Sequence, residues 1–315
     1  MQLINMNNLK EKFITFWNYI SNAKYITLCT HVEPDGDTLG SAIAFKEIIA
    51  LNCPNVKEVL ISGGDYPRNL SFLIKKPISL VSQNFFDKSL KVVVDTSTKN
   101  RIFDKRVIPE KSLKFDHHPE EEKWLFEIGG DYWPATGQLL TLLIKTLNLK
   151  VNETTLEGLA VAIITDTEYF SERNISAETF DMMSFLMSKG LKYSELLAKM
   201  QLNKNEAQQI FDVCKNMQTK GIVTYAISEK VVTNDLARPL VAQFVSLSNS
   251  EVSLVILKRV QGNYRCGIRS RTYYNVSEVA KHFGGGGHHN SSGFMIDNLQ
   301  KLDEIIDFIN THDYK

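Results

Sequence analysis

The segment Val92-Val93-Val94-Asp95 constrains the fold more than any other. The run from Leu90 to Val94 is nearly unbroken in apolar, mostly β-branched residues. Such a run reads as a strand covered on both faces, which is the signature of a parallel sheet. Parallel neighbours cannot be joined by a hairpin, so the chain around this strand must carry crossovers, usually helices. The sequence has that alternation. Phe13, Ile14, Trp17 and Ile20 recur at helical spacing in 8–22. Strand-like runs follow at 24–30, 55–62, 113–115 and, at an edge, 125–128. Helical runs lie at 42–51, 70–74, 136–147, 156–164, 180–191 and 195–200. The pattern predicts an α/β first domain with a doubly wound, mainly parallel sheet.

The character changes near residue 201. A polar stretch there predicts a linker over 201–207, dividing a first domain, 1–200, from a second, 208–315. A helix is expected over 206–217, strands over 222–227, 252–258, 264–270 and 293–296, and helices over 276–283 and 302–309. The second domain is therefore expected to be a smaller α/β unit with a mixed sheet. At 315 residues two domains are the natural count.

Chemistry-bearing residues gather where apolar runs stop. His31-Val32-Glu33-Pro34-Asp35-Gly36-Asp37 follows the strand at 24–30, Asp95 closes the central strand, Asp116-His117-His118 follows 113–115, and Asp166 follows the helix at 156–164. In an open α/β sheet ligands bind at the carboxyl ends of the strands. Carboxylates with some imidazole suit Mn²⁺ more than Zn²⁺, which takes sulfur and fewer ligands. A DxD bent at its middle residue offers one carboxylate to each of two cations, and a carboxylate such as Asp95 has two oxygens with which to bridge them. Paired metals clamp an in-line displacement at phosphorus. Taken singly, each group reads more readily as a turn or helix cap; their joint order carries the argument.

In that order and spacing the groups resemble the DHH–DHHA1 phosphoesterases, in particular the branch of small bacterial nanoRNA hydrolases and pAp phosphatases. The resemblance runs over roughly 27–296. It implies two Mn²⁺ per chain, with Mg²⁺ as the alternative. His31, Asp35 and Asp95 would be ligands of one, and Asp37, Asp95, His117 and Asp166 of the other. His118 would contact the phosphate and protonate the leaving oxygen, with Asp116 orienting a histidine beside it. The second family motif matches Gly284-Gly285-Gly286-Gly287-His288, followed by Ser291-Ser292 where alanines are usual. Gly286, Gly287 and His288 are expected to meet the substrate, since a backbone without Cβ atoms can turn its N–H groups toward an anion. Upstream, Arg265, Gly267, Arg269 and Arg271 share one face of a strand by its period of two. Arg269 is the expected phosphate contact among them. One departure stands out: Glu168 lies where the family usually has glycine, which puts the local backbone shape in question.

Charge narrows the substrate. Basic and acidic residues balance at 36 each, so no long electrostatic track for nucleic acid is expected. The resemblance implies hydrolysis of short RNA oligonucleotides or linear dinucleotides to mononucleotides, and of 3′-phosphoadenosine 5′-phosphate (pAp) to AMP. A cyclic or linear dinucleotide signalling phosphodiesterase is the rival enzyme. A catalytically inactive nucleotide-binding regulator is the rival of another class; a complete ligand set with His118 argues against it. The family also accommodates a homodimer. Cys29, Cys53, Cys214 and Cys266 are scattered with no CxxC pair, and no signal sequence or membrane-spanning run is read, so a cytoplasmic protein is expected.

Overall fold

The computed structural model describes residues 6–96, 98–171 and 174–314. The chain divides into two compact units, Met1–Gln201 and Leu202–Lys315. In the first the order is α1 (Met6–Asn22), β1 (Tyr25–Cys29), α2 (Gly36–Asn52), β2 (Glu58–Ser62), α3 (Gln83–Lys88), β3 (Leu90–Val94), β4 (Leu113–Phe115), β5 (Phe126–Ile128), α4 (Thr136–Leu147), α5 (Glu153–Asp166), α6 (Ala177–Ser188) and α7 (Tyr193–Lys199). The strands form one five-stranded parallel sheet in the order β2-β1-β3-β4-β5. The period of two sorts its side chains. Ile26, Leu28, Val92, Val94, Leu113 and Phe115 join the core built by α1, α2, α4 and α5. Cys29 and Val93 turn to the opposite face, where Val81, Phe85, Phe86 and Trp124 cover them. Both faces are buried, as the Val92–Val94 run requires. The second helical layer is thin: β3, β4 and β5 are joined by short 3₁₀ and irregular segments, leaving α3 as its α-helix among the described residues.

Helix α2 begins earlier than its apolar run. Asp35 caps it, its Oδ1 accepting from the Thr38 N–H at 3.1 Å, so Asp37 lies in the first helical turn and not in a loop. Every residue from Gly36 to Phe45 is buried, because α5 lies directly against this part of α2. At their contact a Cβ on Gly40 would stand 2.2 Å from the Gly158 carbonyl oxygen, and one on Gly158 would stand 2.7 Å from that of Gly40. The helices thus touch backbone to backbone. Running antiparallel, they set the N-terminus of α2, with Asp37, beside the C-terminus of α5, with Asp166.

In the second unit the order is α8 (Lys204–Cys214), β6 (Gln218–Lys220), β7 (Val223–Val231), α9 (Asn234–Leu247), β8 (Val252–Lys258), β9 (Tyr264–Ser270), α10 (Val276–His282), β10 (Gly286–Gly287), β11 (Ser291–Ile296) and α11 (Leu302–Thr311). The six strands run β10-β11-β9-β8-β7-β6, with β7 and β8 parallel and the other neighbours antiparallel. Period two again separates the faces: Leu254 and Ile256 pack under α10 and α11, while Val255 and Leu257 pack under α8 and α9. The stretch expected as a linker is partly helical. Asn203 and Glu206 form a capping box that starts α8 at Lys204. Helix α9 is not anticipated, because Pro239 inside it breaks the expected pattern. Leu236, Leu240, Val241 and Phe244 nevertheless make a buried stripe, and that spacing was the signal for it.

The Gly40 contact has a testable sign. Glycine to alanine inside an exposed helix gains about 1 kcal/mol. Gly40→Ala is expected instead to lose about 1–3 kcal/mol through overpacking against Gly158. Equilibrium denaturation decides between the signs, and a stabilised variant would show that α2 and α5 separate without cost.

Candidate metal centre

The sheet order explains why the chemistry converges. From β1 the chain goes to β2 on one side, then returns to place β3 on the other. The crevice at such a switch, outside the carboxyl ends of the strands, is where open α/β sheets hold ligands. His31 lies just past β1 and Asp95 just past β3; Asp116, His117 and His118 come directly off β4. Asp35 and Asp37 arrive on the start of α2, and Asp166 on the end of α5.

Three groups of ligand atoms result, each with its atoms within 4.8 Å of one another: His31, Asp35 and Asp95; Asp37, His117 and Asp166; and Asp95, His117 and His118. Asp95 stands between the two imidazoles. Its Oδ2 is 3.6 Å from His31 Nε2 and its Oδ1 is 3.5 Å from His117 Nε2. His31 Nε2 is also 3.5 Å from Asp35 Oδ2, and His117 Nε2 is 3.3 Å from Asp166 Oδ2 and 3.8 Å from Asp37 Oδ2. Both rings are turned by a backbone carbonyl. His31 Nδ1 lies 2.7 Å from the Val32 oxygen and His117 Nδ1 2.9 Å from the Trp133 oxygen. With Nδ1 donating there, each Nε2 is left facing the carboxylates, where a divalent metal would take its lone pair in place of a proton.

The carboxylates are held by neutral donors. The Thr136 and Gly137 N–H groups at the start of α4 donate to Asp37 at 2.7 and 2.9 Å. Helix α4 has no capping side chain of its own, so Asp37 serves as its anion. Thr136 Oγ1 donates to Asp95 Oδ1 at 3.0 Å, and the Thr38 hydroxyl donates to Asp95 Oδ2. Asp95 takes a left-handed backbone, φ +56°. Outliers of this kind gather at functional sites.

The crowding shifts the ionisation of these groups. Burial, and then the charges of Asp95, Asp166 and Asp35, push the Asp37 carboxyl well above its usual range. Burial also opposes ionisation of Asp95, but the hydrogen bond from His31 and the His118 and His117 charges outweigh it and hold that carboxyl low. Burial disfavours a charged His31 ring, yet Asp35 and Asp95 outweigh burial and lift it to about 10. Without a cation the proteins' own protons must offset these packed carboxylates. A buried set of carboxylates and Nε2 lone pairs strained in this way fits divalent metal.

His118 differs from His117. Its Nδ1 is 2.6 Å from Asp116 Oδ1, and its side chain keeps 20% exposure. In the second unit, Arg269 on β9 pairs with Ser291 on β11, and His288 exchanges backbone hydrogen bonds with Ser291 across the turn from β10. Arg269 and His288 therefore share one end of that sheet. The Arg269 guanidinium donates to the Ile268 and Ser292 carbonyls at 3.1 and 3.4 Å. Gly286 and Gly287 form a short strand against Gly293 and Ser292, and Gly287 has φ +143°. Arg271 lies past the end of β9 and binds the Asn249 carbonyl.

Residues 218–312 match the family model of the DHHA1 domain. Two curated relatives span nearly their whole length with this chain. The MG371 homolog of Mycoplasma pneumoniae is 25% identical over 314 residues, 96% of this chain and 94% of the relative. The probable bifunctional oligoribonuclease and PAP phosphatase NrnA of Streptococcus mutans is 28% identical over 295 residues, 89% and 92%. The second unit thus carries a DHHA1 domain, and over most of its length the chain is similar to DHH–DHHA1 phosphoesterases. An exopolyphosphatase-related protein from Bacteroides fragilis shares the fold, with a TM-score of 0.82 at 19% identity and 96% of each chain covered. Among the described residues no helix is long and apolar enough to cross a membrane.

The end of α5 shows what the expected glycine at 168 would do. Glu168 has φ +45°, its N–H donates to the Thr165 oxygen, and the Tyr169 N–H donates to the Ile164 oxygen at 2.8 Å. That is a Schellman ending, whose left-handed position favours glycine. Glu168 takes that position itself, and Tyr169 and Phe170 after it are left-handed as well. Glu168→Gly is expected to raise stability by about 1 kcal/mol, read from the denaturation midpoint; a drop would mean that the Glu168 side chain supports the turn.

Proposed function

We propose that this chain is a two-metal phosphoesterase that hydrolyses short RNA oligonucleotides and linear dinucleotides to mononucleotides and pAp to AMP. The observation that carries the reading is the pair of His/Asp clusters joined by Asp95 at the switch point of the sheet. Curated relatives of matching length, named as bifunctional oligoribonuclease and PAP phosphatase, support the substrate class. In this reading His31, Asp35 and Asp95 hold one Mn²⁺ and Asp37, Asp95, His117 and Asp166 the other, with Mg²⁺ as the alternative ion. The metals supply Lewis acidity and lower the pKa of water. The chain does the rest. Thr38 and Thr136 fix the Asp95 carboxylate, and the Val32 and Trp133 carbonyls fix the two ligand rings. Asp116 holds His118 by Nδ1, so the opposite ring edge, Nε2, is available to hand a proton to the leaving oxygen.

The deciding assay is turnover of a panel containing pAp, linear dinucleotides, cyclic dinucleotides and pyrophosphate, with Mn²⁺ added after chelation. Turnover of pAp and linear dinucleotides is expected. Preference for the cyclic compounds would reassign the chain to dinucleotide signalling, and no turnover at all would make it a binding protein. His118→Ala is expected to keep its metal and lose about 10²–10⁴-fold in rate, whereas Asp95→Ala should lose metal as well, by elemental analysis. Metal loss in the His118 variant would make that residue a ligand.

In the second unit Arg269, Gly286, Gly287 and His288 are proposed to bind the nucleotide. Arg269→Ala and His288→Ala should raise KM for dinucleotides and pAp while leaving cleavage of a small phosphodiester without a nucleotide near wild type. Equal loss on both substrates would refute a recognition role.

A further inference from the structure

Among the described residues, the proposed chemistry leaves the buried cation Lys114 unused. Lys114, in the middle of β4, is 1% exposed. A fully buried ammonium is costly unless it is paired. Its Nζ is 3.1 Å from Glu127 Oε2 and 3.5 Å from Asp116 Oδ2, and it stands over the Trp124 ring at 5.7 Å from the centroid. Glu127 is its register partner on β5, and that one carboxylate already balances the charge. The second carboxylate contact does something more. Asp116 is fully buried, with Oδ2 toward Lys114 and Oδ1 accepting from His118 Nδ1. Glu127, Lys114, Asp116 and His118 thus form one line from the edge strand to the ring that borders the metal centre.

We propose that Lys114 is a positioning residue for His118: by holding Oδ2 of Asp116 it fixes the plane of the carboxylate whose Oδ1 orients the ring, so that Nε2 faces the phosphate. A carboxylate gripped at one oxygen can swing about its Cβ–Cγ bond; gripped at both by separate donors it cannot. Lys114 touches neither substrate nor metal in this scheme. The line also explains why a lysine occupies a strand position whose flanking side chains, Leu113 and Phe115, are core residues. A pair of apolar residues at 114 and 127 would serve the fold as well as this ion pair does.

The inference rests on the phosphoesterase reading, and the experiment keeps the two apart. Lys114→Met and Lys114→Gln are measured in the full-length protein with Mn²⁺ and a linear dinucleotide, in the wild-type and His118→Ala backgrounds. In the wild-type background kcat should fall about 10–100-fold, with KM and metal content little changed. In the His118→Ala background the same substitutions should cost nothing further, since the residue they act through is gone. Equal losses in both backgrounds, or loss of metal, would overturn the proposal. Failure of both variants to fold would assign Lys114 to the fold and overturn it as well. Independently of turnover, long-range ¹H–¹⁵N spectra of the metal-free protein at alkaline pH, where the ring is neutral, should show His118 as a single Nδ1-protonated tautomer in wild type and a tautomer mixture in Lys114→Gln. Unchanged His118 signals would refute the positioning role even in an active enzyme. A wild-type protein with no phosphoesterase activity would defeat the functional reading and leave the spectroscopic question to be answered by itself.

Discussion

The structure of the first unit turns on how buried carboxylates are held. Asp37 is fixed by two backbone N–H groups of α4, and Asp95 by the Thr38 and Thr136 hydroxyls. Neutral donors of this kind fix where the oxygens point but leave the negative charge in place. A lysine or arginine at the same positions would neutralise the cluster and remove its affinity for a cation. The cost of that choice is visible in Asp37, whose carboxyl is driven upward by burial and by its acidic neighbours. A divalent cation offsets such repulsion, and that is why the arrangement reads as a metal centre instead of a network that stabilises the fold.

The histidines obey the same logic in mirror image. His31 and His117 each spend Nδ1 on a main-chain oxygen, which cannot ionise and does not move. His118 spends Nδ1 on a carboxylate, which can hold a positive ring. Burial disfavours the charged ring of His118, and Asp116 overcomes it and raises the pKa. Two adjacent residues of one motif thereby differ in the atom that faces each Nδ1. Acidic neighbours raise the pKa of all three rings, so what separates His118 is the partner of its Nδ1 and not its charge.

In the second unit the sheet does comparable work with less commitment. The pairing of Ser291 with Arg269, and of His288 with Ser291, lines a cation and an imidazole along one end of the strands. Gly286 and Gly287 carry no side chain over that end, and both are exposed. The DHHA1 domain match covers all of these residues.

The sequence alone determined the parallel sheet and the residues at its strand ends. Val92–Val94 cannot be half-exposed, and a polar residue that ends such a run must sit at the carboxyl edge where Asp95, His31 and Asp116–His118 are found. It also determined the mixed sheet of the second unit through alternating strands. Only the tertiary structure decided what those residues do. Thr38, Thr136 and the Trp133 carbonyl carry no signal of their own, because any threonine or peptide group has the same donors and acceptors; proximity across many residues gives them their roles. Asp37 read as a loop residue because the Asp35 cap, not the apolar run, starts α2. Helix α9 was hidden by Pro239, whose local preference the packed stripe of Leu236, Leu240, Val241 and Phe244 overrides. Nothing in the sequence marks Lys114 as buried, since lysine is ordinarily a surface residue. Its burial depends on β5 and Trp124 closing over β4, and a contact of that kind is settled by packing, after the local pattern has been read.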